Sequence, residues 1–86
     1  MNGVMIAQLA KEQLSAVTGL VPDEVSELGR GEDGWQVTVE MVELKRIPAS
    51  SDMLGSYESI IDDEGQLVNY RRVRRYSRSD TLEQAA

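Results

Sequence analysis

Trp35-Gln36-Val37-Thr38-Val39-Glu40-Met41 alternates apolar and polar side chains without a break. Successive side chains of a strand point to opposite faces, so Trp35, Val37, Val39 and Met41 share one face and Gln36, Thr38 and Glu40 the other. This period of two predicts a half-buried strand, and the chain must therefore build a sheet. After Met41 the apolar phase slips to Val42 and Leu44. A β-bulge near Met41 and Val42 restores the facing by adding one residue. The alternative leaves Val42 and Leu44 on the opposite sheet face, covered by a partner.

Upstream, Ile6, Leu9, Ala10, Leu14 and Val17 recur at three- and four-residue spacing. That pattern predicts an amphipathic helix from about Ile6 to Thr18, preceded by a frayed 1–5. Gly19 is placed to close it in the left-handed conformation, and Pro22 forbids continuation. The segment Pro22 to Gly34 is acidic and carries Gly29, Gly31 and Gly34; within it Val25 to Leu28 is a candidate edge strand.

Downstream, Ile47 to Asp52 reads as a loop, because Pro48 cannot donate to a sheet ladder. Ser51 or Asp52 is placed to start a short turn holding Met53 and Leu54. Tyr57 to Ile61 reads as a strand, Asp62-Asp63-Glu64-Gly65 as a hairpin turn, and Leu67 to Tyr76 as the returning strand. Ser77 to Ala86 is small and polar, with fraying expected over 79–86. The expected fold class is α+β: one domain over 1–86, with the N-terminal helix packed on a three- or four-stranded antiparallel meander. Trp35, Val37, Val39, Leu67 and Val73 are the expected core of its sheet. The other sheet face is left either exposed or as an interface.

Eighty-six residues with one Trp, three Tyr and no Phe support one modest core, with a stability on the order of 5 kcal/mol. The chain has no Cys and no His. Disulfides, thiolate metal sites and histidine-dependent triads are thereby excluded, and a reducing compartment is the expected setting. No N-terminal signal pattern and no apolar run of about 20 residues is present, so no membrane span is expected. The carboxylate clusters Asp23-Glu24, Glu32-Asp33 and Asp62-Asp63-Glu64 lack the alternating ligand spacing of a calcium loop. Ser50, Ser51, Ser56 and Ser59 lie in no nucleophile elbow, and the glycines form no phosphate loop. Neither a catalytic nor a metal site is expected.

The net charge of −6 hides an asymmetry. Residues 1–65 carry four cationic side chains against thirteen acidic ones, a balance of −9, whereas 66–86 carry five arginines against Asp80 and Glu83, a balance of +3. The arginines cluster in Tyr70-Arg71-Arg72-Val73-Arg74-Arg75-Tyr76, followed by Arg78. An uninterrupted strand places Tyr70, Arg72, Arg74 and Tyr76 on one face and Arg71, Val73 and Arg75 on the other. Guanidinium forks grip carboxylates in bidentate fashion and stack on tyrosine rings, so Tyr70, Arg71, Arg72, Arg74, Arg75, Tyr76 and Arg78 are the candidate protein-binding residues. The bland alternative sets Glu40 and Glu43 across the sheet from them as a self-satisfied charge ladder worth about 0–1 kcal/mol per exposed pair. Nucleic acid is the weakest of the three readings, since thirteen upstream carboxylates repel a phosphate backbone.

The stretch Trp35 to Pro48 closely resembles the start of the region shared by the gas vesicle protein O family. Asp52-Met53-Leu54, Tyr57-Glu58, Asp63-Glu64-Gly65-Gln66-Leu67-Val68 and Tyr70 to Tyr76 then follow in the family's order. The resemblance spans 35–78, about half the chain, as a family-like β core; residues 1–34 add only an acidic, partly helical character. Ser59 departs from it, standing where the family has an apolar residue, which leaves open how deeply that strand is buried. The resemblance implies a non-enzymatic accessory protein supporting gas vesicle assembly in the cytoplasm, without cofactor. Its implied partners are other gas vesicle accessory proteins and the hydrophobic wall protein. Contact with nucleic acid to regulate vesicle genes, or self-association of the +3 segment with the −9 body as a homo-oligomer, are the alternatives.

Overall fold

The first helix, α1 (Gly3–Thr18), starts at Asn2, whose side-chain oxygen accepts from the Met5 amide at 2.9 Å. Gly19 ends it at φ 74°, its amide donating to the Ser15 carbonyl at 2.8 Å. This computed structural model describes residues 2–80. Four strands follow: β1 (Val21–Gly31), β2 (Gly34–Leu44), β3 (Met53–Ile61) and β4 (Leu67–Ser77). They form one sheet in the order β1-β2-β3-β4, every neighbour antiparallel. The architecture is the expected α+β meander, with the four-strand option realised.

Burial of apolar surface on one sheet face holds helix and sheet together. Ile6, Ala10 and Leu14 of α1 are buried against Val37, Val39, Met41 and Ile61, with Leu20, Val25, Trp35, Tyr57 and Leu67 packed around them. Val17 shares their angular position yet is 54% exposed. Gln13 ties the helix to the β3–β4 hairpin. Its amide nitrogen donates to the Gly65 carbonyl and its oxygen accepts from the Leu67 amide, both at 2.8 Å.

Several boundaries differ from the sequence reading, each for a local reason. The fraying expected at 1–5 is corrected for Gly3 to Met5, which the Asn2 cap holds in α1; Met1 lies outside the described residues. The candidate edge strand Val25 to Leu28 is the middle of an eleven-residue strand. Its outline was masked because Pro22, Val25 and Leu28 all face the helix at three-residue spacing, with an extra residue, Asp23 and then Ser26, bulging in each interval. The bulge expected near Met41 and Val42 is present one residue on, at Glu43. Val42 consequently lies on the open face, paired with Val21 and Leu54. Met53 and Leu54, expected in a turn, begin β3, and the turn is a single 3-10 turn at Ala49–Ser51.

Ser59 resolves the burial of β3. It is 1% exposed, and its hydroxyl donates to the Val37 carbonyl at 2.8 Å, so a polar side chain sits in the core with its hydrogen bond made. At the end of β4, the Ser77 hydroxyl accepts from the Asp80 amide while the Asp80 carboxylate accepts from the Ser77 amide. This reciprocal capping pair orders Ser79 and Asp80, within the stretch expected to fray; residues 81–86 lie outside the described residues.

Candidate functional site

The arginine strand does not keep the two faces that unbroken alternation assigns to it. Pairing with β3 skips Val68 and Val73, each an extra residue bulging from β4. Leu67, Tyr70, Arg72 and Arg75 therefore pair with Ile61, Ser59, Tyr57 and Gly55 on the helix side. Asn69, Arg71, Arg74 and Tyr76 pair with Ile60, Glu58, Ser56 and Leu54 on the open side. The expected face of Tyr70, Arg72, Arg74 and Tyr76 is thus split in two. Val73, expected in the core, is 45% exposed because bulging removes it from either packed face. Trp35 and Leu67 pack at the core's margin, and Val37 and Val39 at its centre.

On the helix side Glu43 is the hub. Its carboxylate takes Arg72 at 2.8 Å, Arg75 at 3.1 Å and the Tyr57 hydroxyl at 2.7 Å. Gly55 leaves room for it, since a Cβ there collides with the Glu43 carboxylate. Tyr57 and Tyr70 lie alongside, ring centroids 6.3 Å apart. On the open side Glu40 is 5% exposed and accepts from the hydroxyls of Ser26 at 2.6 Å, Ser56 at 2.5 Å and Tyr76 at 2.6 Å. Glu40 thus takes hydroxyls in place of the arginines expected across from it, a cluster that spacing could not reveal because Ser26 arrives by a bulge.

Arg71 reaches Glu58 at 3.2 Å, and Arg78 reaches Asp23 at 3.2 Å and Asp52 at 3.5 Å. Arg74 is the one arginine of the cluster without an ion pair among the described residues; its guanidinium stacks over the Tyr76 ring at 4.4 Å from the centroid. Much of the cluster is a charge ladder internal to the sheet, and Arg74 is its unneutralised member.

Burial, then the hydrogen bond to Glu43, pushes the Tyr57 phenol up to about 12. Burial and Glu40 raise Tyr76 in the same way. Both groups bind their protons more tightly folded than unfolded, where a phenol titrates near about 10. Their contribution to stability is therefore complete below about pH 10 and is lost as pH rises through the folded values. Alkaline titration of the phenol absorbance should show delayed ionisation of Tyr57, abolished in urea; ionisation of Tyr57 near about pH 10 in the folded protein contradicts the Glu43 geometry.

Beside Arg71 the open face dips into a concavity bordered by Glu27, Gln36, Thr38, Glu58, Ile60 and Asn69. No helix among the described residues is long and apolar enough to cross a membrane. A chain of this architecture matches a known family from one end of the described residues to the other: the family model "Gas vesicle synthesis protein GvpO" covers residues 2–81. The chain belongs to the GvpO family. The match takes in α1 and β1, which the resemblance over 35–78 had left aside. A gas vesicle protein O from Streptomyces sp. (strain CB03234) is 48% identical over 66 residues, 77% of this chain and 52% of that protein. One from Haloferax mediterranei is 38% identical over 52 residues, 60% and 37% of the two chains. Gas vesicle protein O1 of Halobacterium salinarum is 36% identical over 53 residues, 62% and 44%. The chain spans about half or less of the length of these GvpO relatives. No solved structure matches.

Proposed function

We propose that this chain is a non-enzymatic accessory protein of gas vesicle formation in the cytoplasm, acting by contact with other vesicle proteins through β4. Membership of the GvpO family supports the vesicle role. The observation that carries the docking reading is the open-side strip of β4, where exposed Arg71 and unpaired Arg74 stand beside Tyr76. Such a strip fits an acidic surface on another accessory protein, or on a partner that holds the hydrophobic wall protein ready for assembly. Arg72, Arg75 and Arg78 support it from the helix side and the strand's end, held by Glu43, Asp23 and Asp52, and Tyr70 lies against Tyr57.

The test is recovery of vesicle proteins on the tagged chain from cells expressing the vesicle gene cluster, comparing wild type with Arg71→Glu/Arg74→Glu. Arg72 is left intact because its substitution disturbs the Glu43 hub. Specific recovery that falls at least about tenfold in the folded variant supports docking by this strip. Undiminished recovery, or recovery of nucleic acid alone, overturns it.

A further inference from the structure

β1 and β4 are the two outer strands of the sheet, and each is eleven residues long. Among the described residues neither outer edge pairs with another strand, so each presents a row of backbone donors and acceptors. The edges differ in charge. β1 carries Asp23, Glu24 and Glu27 against Arg30, and Glu24 and Glu27 make no ion pair among the described residues; β4 carries Arg71, Arg72, Arg74 and Arg75 with no carboxylate of its own. We infer that the β4 edge of one copy adds to the β1 edge of a second copy, extending the antiparallel sheet from chain to chain.

Three features of the two strands coincide in one register. Alternating strand direction makes β1 and β4 antiparallel to each other, so a second copy in the same orientation presents β1 antiparallel to β4 and keeps its helix on the same side. When Arg74 stands opposite Glu24, Arg71 falls opposite Glu27, Tyr70 opposite Leu28 and Asn69 opposite Gly29. Their faces agree: Arg74, Arg71 and Asn69 are on the open side, as are Glu24, Glu27 and Gly29, whereas Tyr70 and Leu28 are both on the helix side. The extra residues agree as well, since Val73 and Ser26 each lie inside the interval between the two charge pairs. Arg72 then meets Val25 on the helix side with one bulged residue on each strand. Pairing ends before Pro22, which has no amide hydrogen to contribute.

The pairing of β4 with a second β4 sets arginine against arginine and is disfavoured. A β4-to-β1 contact uses two different surfaces, and each added copy presents a fresh β4 edge at one end and a fresh β1 edge at the other. The product is an open row of copies rather than a closed dimer. In the row Glu24 and Glu27 of the next copy take Arg74 and Arg71, so growth of the row and docking by these arginines compete for the same strand. The inference concerns the chain alone and stands apart from its vesicle role.

The experiment is light scattering of the purified full chain over a rising concentration series. Wild type should grow past a dimer in mean mass as concentration rises. Glu24→Arg/Glu27→Arg and Arg71→Glu/Arg74→Glu, each folded by circular dichroism, should each remain at the mass of one chain. An equimolar mixture of these two variants should regain growth, because every β4-to-β1 contact then joins opposite charges. If a variant loses its fold, the corresponding glutamine substitutions replace it and should weaken growth. A wild type monomeric at every concentration, a closed dimer of fixed mass, variants that grow like wild type, or a mixture that stays monomeric overturns the inference. The β1 variant should still recover vesicle proteins from cells, which separates failure of the row from failure of docking by the open face.

Discussion

Gly34→Ala should lower the melting temperature by at least about 12 °C, at about 4 °C or more per kcal/mol for a domain of this size. Gly34 opens β2 at φ 133°, a conformation side chains rarely adopt, and a Cβ there runs into the backbone carbonyl of Ile61 and approaches the Asp62 Cα to 3.2 Å. Neither atom belongs to a side chain that can turn away. Relieving the contact means separating Trp35 from Ile61, the first pair of the β2–β3 ladder. Strain of this kind costs about 1–3 kcal/mol before the ladder itself is disturbed, so a total near 3 kcal/mol is expected. Gly29→Ala is the control: its Cβ meets nothing within 4 Å, and its φ is not positive. A thermal melt in which the two variants behave alike contradicts the close approach of Gly34 to the end of β3.

The second large effect is expected in the helix. Leu14 is fully buried between α1 and the sheet, and Leu14→Ala leaves a cavity that a single helix layer closes only in part. The cost is about 2–5 kcal/mol, comparable with the whole stability of a small domain, so the variant should be largely unfolded at moderate urea. Val17→Ala tests the same stripe three residues on. Exposed in the last turn of α1, it should change stability by less than about 0.5 kcal/mol. Equal effects at 14 and 17 place the helix differently on the sheet.

The contrast between these two positions shows where residue spacing reported the fold and where it did not. Periodicity registers which side of an element an apolar side chain occupies, so the helix and the alternation through Trp35 to Met41 were legible. It cannot register how deeply each of those side chains is covered, so it groups Val17 with Ile6, Ala10 and Leu14 although Val17 is exposed. Bulges are the larger obstacle. One extra residue exchanges the faces of everything beyond it, yet residue types at Val68, Val73, Asp23 and Ser26 carry no mark of bulging. The arginine strand was therefore legible as a strand with concentrated charge, but not as two separate surfaces. Glu43 was legible as a counter-charge; Glu40, equally plausible by spacing, is instead surrounded by hydroxyls whose positions depend on three strands meeting.

Gln13 bridges to Gly65 and Leu67, more than fifty residues later in the chain. At a synthesis rate of about 5–20 residues per second, α1 emerges from the ribosome several seconds before the hairpin that fastens it. Throughout that interval Ile6, Ala10 and Leu14 have no completed sheet to cover them. The nascent chain therefore passes through a stage in which α1 has been made and its apolar stripe is most in need of a temporary companion.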